Sequence, residues 1–347
     1  MAIVEKLKVK LLGEEKERIA RRYTENQEAY QFYLRGRELS KRHTEAGYKE
    51  GIGFFEKAIG LDPNYALAYV DLANGYKELS KLNFLSHDEG YPKAKEALRK
   101  ALELDDELGE AYAQLGATKF LSEWEMSDPD EDFKKAVELS PGSSDVYQFY
   151  SQYLMWVGRA DESIAMARKA VDLDPLTPLT RGWLAAAYFY ANRYDESIAQ
   201  DKMILELDPD FVWAHIYLCH NCTMKGMNAE ALFHLDKVES ISLALDDYSL
   251  LSWVGDDYAR IGKRDKAREI LKKTIELHEK NSIDAMAVVT IYSALEQRDH
   301  AFDWLMKAVD EKSGLVVYLK VYEKTILREL APDPRYGDFL QRVGFKE

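Results

Sequence analysis

The chain has 347 residues, 46% hydrophobic and 31% charged, a globular composition that is neither disordered nor fibrous. With 61 acidic against 47 basic residues its net charge is −14, which argues against a general nucleic-acid-binding surface. Residues 211–224 are the longest stretch without Asp, Glu, Lys or Arg, short of the roughly 18 apolar residues a membrane span needs. Two cysteines cannot build a disulfide scaffold. The N-terminus lacks the apolar core of a signal peptide. A soluble chain in a cytoplasmic location is expected, with neither nucleic acid nor membrane as a partner.

Residues 1–25 predict a leading helix, with Ile3, Leu7, Leu11 and Ile19 on its apolar stripe. From residue 26 onward a phrase recurs. Leu61-Asp62-Pro63, Leu173-Asp174-Pro175 and Leu207-Asp208-Pro209 each close an amphipathic run, and Leu104-Asp105-Asp106 and Leu139-Ser140-Pro141 are variants. The third residues are spaced by 43, 35, 34 and 34. In residues 144–177, Tyr147, Tyr150 and Leu154 form one face of a first helix. A turn at Gly158 follows, with Asp161 as a candidate N-cap. Ile164, Ala167, Ala170 and Val171 stripe a second helix that Pro175 ends. Residues 178–211 repeat the unit, and looser copies cover 26–65, 66–108, 109–143, 212–243, 248–281 and 282–314. Pro129 predicts a late start for one second helix. Residues 315–330 predict a helix, and residues 336–343 a short closing helix with Phe339, Leu340 and Val343 inward.

On this pattern residues 26–314 resemble a tetratricopeptide-repeat (TPR) array of about eight helix pairs. Family position 8 is small where helices cross; here stand Ala73, Gly116, Ser151, Ala185, Cys219 and Gly255. Position 20 is small too, with Gly51, Ala94, Ser163, Ser197, Ala231, Ala267 and Ala301. The resemblance implies an all-α, right-handed superhelical solenoid, capped by residues 1–25 and 315–347. A narrower resemblance joins Arg21-Arg22-Tyr23-Thr24-Glu25-Asn26 and Pro332-Asp333-Pro334-Arg335-Tyr336 to bacterial signalling proteins. There a TPR array follows a kinase, a cyclase or a winged-helix domain.

Other constellations resolve into packing. Cys219-His220-Asn221-Cys222 has metal-like spacing but no second pair, and its cysteines fall at packing positions. Gly51-Ile52-Gly53 lacks the third glycine and the preceding strand of a phosphate loop. Asp128–Asp132 lacks the glycine and the final glutamate of a calcium loop. No motif nominates an enzyme, a metal or a cofactor.

The inner positions of the first helices carry the functional expectation. They hold Gln148, Phe149, Gln152, Met155 and Trp156, then Trp183, Phe189 and Tyr190. Trp213, Ile216, Tyr217, His220 and Met224 follow, and then Ser252, Trp253, Asp256 and Arg260. Phe149, Trp183, Tyr217 and Trp253 are assigned to the core. Gln148, Gln152, Trp156, Tyr190, Trp213, His220 and Met224 are the groove candidates, since aromatics dominate binding hot spots. The Lys and Asn set that clamps a carboxylate in chaperone-binding relatives is not found. The expectation is a non-enzymatic module that binds a peptide or partner protein in its concave groove, in bacterial signalling or regulation. Self-association as a homo-oligomer is the alternative, as is the regulatory half of a larger kinase, cyclase or transcription factor.

Overall fold

The computed structural model describes residues 24–42, 44–82, 84–122, 129–280 and 282–342. Residues 1–23 and Val343 lie outside them, and with them the expected leading helix. The described residues are helical and contain no strand. Helices α1 (Gln27–Ser40) to α4 (His87–Leu104), with α2 (Glu45–Leu61) and α3 (Ala66–Lys81), form the first two pairs. Next come α5 (Gly109–Ser122) with α6 (Asp130–Leu139), α7 (Ser144–Trp156) with α8 (Ala160–Leu173), and α9 (Pro178–Tyr190) with α10 (Tyr194–Leu207). The pair α11 (Val212–Met224) and α12 (Asn228–Leu245) is followed by a broken first helix, α13 (Ser249–Ser252) and α14 (Gly255–Arg260). It packs on α15 (Arg264–Glu279); α16 (Ala285–Ala294) and α17 (Arg298–Asp310) end the array. These are about eight helix pairs in a right-handed solenoid. The chain closes with a 3₁₀ turn (Val316–Tyr318), α18 (Leu319–Tyr322) and α19 (Pro334–Arg342).

The recurrent Leu-Asp-Pro phrase has a local cause. Asp62, Asp105, Asp174 and Asp208 each sit at a helix C-cap with extended or near-extended backbone. The Asp62, Asp105 and Asp208 side chains accept from the backbone N–H two residues on, at 3.0, 3.1 and 3.3 Å. Such Asx turns end the helix before the next begins. The turns inside the pairs use left-handed backbone at Gly158, Asn192, Gly226, Gly262 and Glu296, which glycine adopts without steric penalty. Paired helices approach closely at the small positions. Ser151 and Ser163 donate to each other's carbonyls at 2.9 Å, and Ser197 donates to the Ala185 carbonyl at 2.8 Å.

Three local expectations are corrected. Arg159, not Asp161, occupies the N-cap of α8, and Asp161 lies in the first turn, where the helix dipole favours an acid. The helix expected at 315–330 is only the 3₁₀ turn and α18, followed by turns. Its apolar residues Val316, Val317, Leu319, Leu327 and Leu330 are buried on several sides, so packing overrides a single helical stripe. The first helix of the seventh copy breaks at Trp253 and Val254. The late start after Pro129 is present, and α6 has ten residues.

The solenoid curves until its ends meet. The Lys312 ammonium pairs with Asp88 at 2.7 Å, and Gly314 lies against the Lys81 backbone. Residues 315–331 then turn into the interior and join the core beneath α7 and α9.

Candidate functional site

The first helices face the interior, and the tail fills part of it. Tyr318 stacks on Trp156 with centroids 3.9 Å apart, and Tyr322 stacks against Tyr190 at 6.0 Å. The Arg260 guanidinium donates to Glu329 at 2.9 Å and to the Ile326 carbonyl at 2.6 Å. Beside the tail remains a cavity of about 780 Å³, within the range of ligand sites. Trp213, Tyr217 and His220 of α11 form one wall, and Ser252, Trp253 and Asp256 the next. Asp246, Asp247 and Tyr248 edge it, Tyr322 and Ile326 roof it, and Glu45 and Phe84 border it from the opposite end of the solenoid.

Trp213 and Trp253 meet edge to face with centroids 5.4 Å apart. The Tyr190 hydroxyl interacts with those of Tyr217 and Tyr322. At the floor, His220 Nδ1 lies 2.6 Å from Asp257. Burial disfavours the imidazolium, but the charge of Asp257 and its hydrogen bond outweigh it, so the His220 pKa rises above the usual value. The Asp257 pKa falls despite burial, because His220 and Arg260 hold the carboxylate. Asp256 pairs with Arg260. Burial still pushes its pKa up, with Arg260 opposing. His220, Asp256 and Asp257 offer three metal-donor atoms within 4.8 Å of one another. Arg260 and His220 already engage both carboxylates, and Arg260 also holds Glu329, so the cluster is an internal ion-pair network.

The sequence candidates divide. Trp213, Tyr190 and His220 line the cavity. Trp156 lies buried under Tyr318, and Met224 sits half-buried beside Arg328, whose guanidinium is 3.2 Å from its sulfur. Gln148 and Gln152 lie on α7, away from the cavity-lining residues. Tyr217 and Trp253, assigned to the core, pack against it and also line the cavity. Asp246 and Asp247 were missed; they lie in the loop after α12, outside the first helices that the repeat pattern singles out. Cys219 and Cys222 are buried thiols, and burial raises both pKa values, that of Cys222 to about 11.

No family model matches the chain. It is similar to the transcriptional regulator HilA of Salmonella typhimurium, 28% identical over 133 residues, 38% of this chain and 24% of the regulator. The Salmonella typhi protein of that name matches to the same extent. The match thus spans about a quarter of the length of these curated relatives. Among solved structures, yeast Tom70 superposes with a TM-score of 0.54 at 18% identity, covering 92% of this chain and 68% of Tom70. The human IFIT1 dimer with PPP-AAAA gives 0.58 at 18% identity, covering 83% and 69%. At such identity the likeness speaks for the fold. No described helix is long and apolar enough to cross a membrane. The periodicity, the paired helices and these neighbours agree on the fold: the described residues form an all-helical repeat array of the tetratricopeptide type.

Proposed function

We propose that this array is a docking module whose interior receives a segment of a partner protein, within a bacterial regulatory system. The observation that carries the reading is the cavity of about 780 Å³ bordered by the Trp213–Trp253 pair, left open although the tail fills the adjoining interior. Paired indoles give large contact area at low entropy cost, and such residues supply most of the energy at interfaces. The regulatory setting is supported by the partial likeness to a transcriptional regulator and by the sequence resemblance at both ends.

The test is photo-crosslinking in the source cells, with benzoylphenylalanine at Thr290 inside the cavity or at Leu176 on the outer surface. The expected result is a protein captured from Thr290 and not from Leu176. Purified, it should bind the parent at least tenfold more tightly than Trp213→Ala, the variant retaining its cooperative melt. Equal capture at both positions, or equal binding by a folded variant, defeats the reading.

A further inference from the structure

The charges around the cavity are unevenly distributed. Five carboxylates border it, Glu45, Asp246, Asp247, Asp256 and Asp284, against two amines, Lys81 and Lys273, and the His220 imidazole, which is taken up by Asp257. Each amine already has an acidic neighbour, Glu78 for Lys81 and Glu276 for Lys273. Three of the carboxylates are also engaged: Glu45 with Lys49, Asp256 with Arg260, and Asp284 with Ser313 and the Met286 N–H. Asp246 and Asp247 differ. Among the described residues neither stands in an ion pair. Asp247 Oδ1 accepts from the Ser249 N–H at 3.0 Å and from its hydroxyl at 2.5 Å. Those bonds fix the carboxylate at the cavity edge without neutralising it. Asp246 borders the cavity as an exposed residue at the left-handed C-cap of α12.

Aromatic faces complete the picture. Trp213, Trp253, Tyr217 and Tyr248 line the same space. Indole and phenol faces attract a guanidinium or ammonium, most strongly when water is excluded. Anionic ligands would meet the opposite preference, since an unpaired carboxylate repels them in a half-enclosed site.

Resting on the docking reading above, we propose that the cavity selects a basic segment of its partner. An Arg or Lys side chain lies against the Trp213–Trp253 pair, with its charge toward Asp246 and Asp247. An adjoining apolar residue fills the space toward Ile326 and Met286. The specificity is the reverse of a carboxylate clamp.

The experiment is selection of random nonapeptides displayed on phage against the intact chain. Counter-selection uses Trp213→Ala and, separately, the double change Asp246→Asn with Asp247→Asn. Asparagine tolerates the left-handed backbone and keeps the acceptor for Ser249, so the second variant remains folded if the first does not. Cavity-dependent peptides are expected to be enriched in Arg or Lys. A purified one should bind at least tenfold more weakly when its Arg is replaced by citrulline, and tenfold more weakly to the double variant. Cavity-dependent peptides that are neutral or acidic, or that bind equally with citrulline, overturn the charge selection and leave the docking reading intact. Recovery of no peptide sensitive to either variant overturns both. Competition by free spermidine at the peptide's own affinity would reassign the site to a small cation.

Discussion

His215 and His234 show how one contact sets a pH response. Their Nδ1 atoms lie 3.0 Å apart, and His215 Nε2 lies 3.0 Å from the Pro209 carbonyl. A carbonyl can only accept, so His215 carries its proton on Nε2, and its Nδ1 accepts from His234 Nδ1–H. Protonating both rings would set two N–H groups face to face. Burial, the neighbouring His215 and Lys202 lower the His234 pKa to about 4, and burial lowers that of His215. Between pH 4 and the ordinary value near 6.5 the unfolded chain binds protons that the folded chain refuses. Stability is then lost as pH falls through this window. Substituting His234→Phe should remove about 1–2 kcal/mol of that loss, allowing for solvent screening of a half-buried ring. Urea unfolding at pH 7 and pH 4.5 checks this, and an equally steep pH dependence in the variant would refute it. His220 works in the opposite sense, since its raised pKa gives stability that is lost as pH rises through it. Asp201 is a different case: wholly buried, with neither carboxylate oxygen hydrogen-bonded among the described residues, it has its pKa pushed far up by burial alone.

At the scale of helices, the crossing points explain what the sequence could say. Position 8 is small because a neighbour's side chain stands where a Cβ would go. At Gly255 a Cβ would lie 2.6 Å from Ile291 Cδ1 and 3.1 Å from Ile270 Cγ2. At Gly53, on the outer side of α2, nothing lies within 4 Å. Gly255→Ala should therefore destabilise by about 1–3 kcal/mol through overpacking. Gly53→Ala should stabilise by up to about 1 kcal/mol, as alanine does inside a helix. Opposite shifts of the two melting temperatures are the expected result, and shifts of the same sign would refute the crossing argument. Contacts of this kind join neighbouring pairs, so they repeat with the period and were legible. The Leu-Asp-Pro phrase and the glycine turns were legible for the same reason, although in sequence the phrase points to its proline and the caps are its aspartates. The split between Ser252 and Gly255 was not, because it breaks one copy only and the apolar stripe runs across it. The cavity was half legible. Trp213 and His220 sit at inward repeat positions, but whether Trp156 or Trp253 stays open depends on where the tail lies. No local pattern encodes that.

The tail changes the mechanics of the whole molecule. In an open solenoid each repeat touches only its neighbours, and stability is close to a sum of local terms. Here residues 315–331 touch distant copies at once: Trp156 through Tyr318, Tyr190 through Tyr322, and Arg260 through Ile326 and Glu329. Those contacts couple α7 and α9, first helices of adjacent copies, to α14 two copies further on. The closure at the rim is different, an exposed pair between Lys312 and Asp88. Exposed pairs contribute about 0–1 kcal/mol, because water screens them and two long side chains lose freedom. Coupling should therefore come from the buried tail and not from the rim. Tyr318→Ala removes a buried ring stacked on Trp156 and should cost about 3–5 kcal/mol. It should also broaden the unfolding transition in urea, because copies that the tail held together can then open separately. Lys312→Ala should leave both the midpoint and the slope within error of the parent. Tryptophan fluorescence and far-ultraviolet circular dichroism, followed on the same samples, should coincide for the parent and for Lys312→Ala and separate for Tyr318→Ala. Coincident, parent-like transitions for Tyr318→Ala would mean that the tail fills the interior without joining its walls.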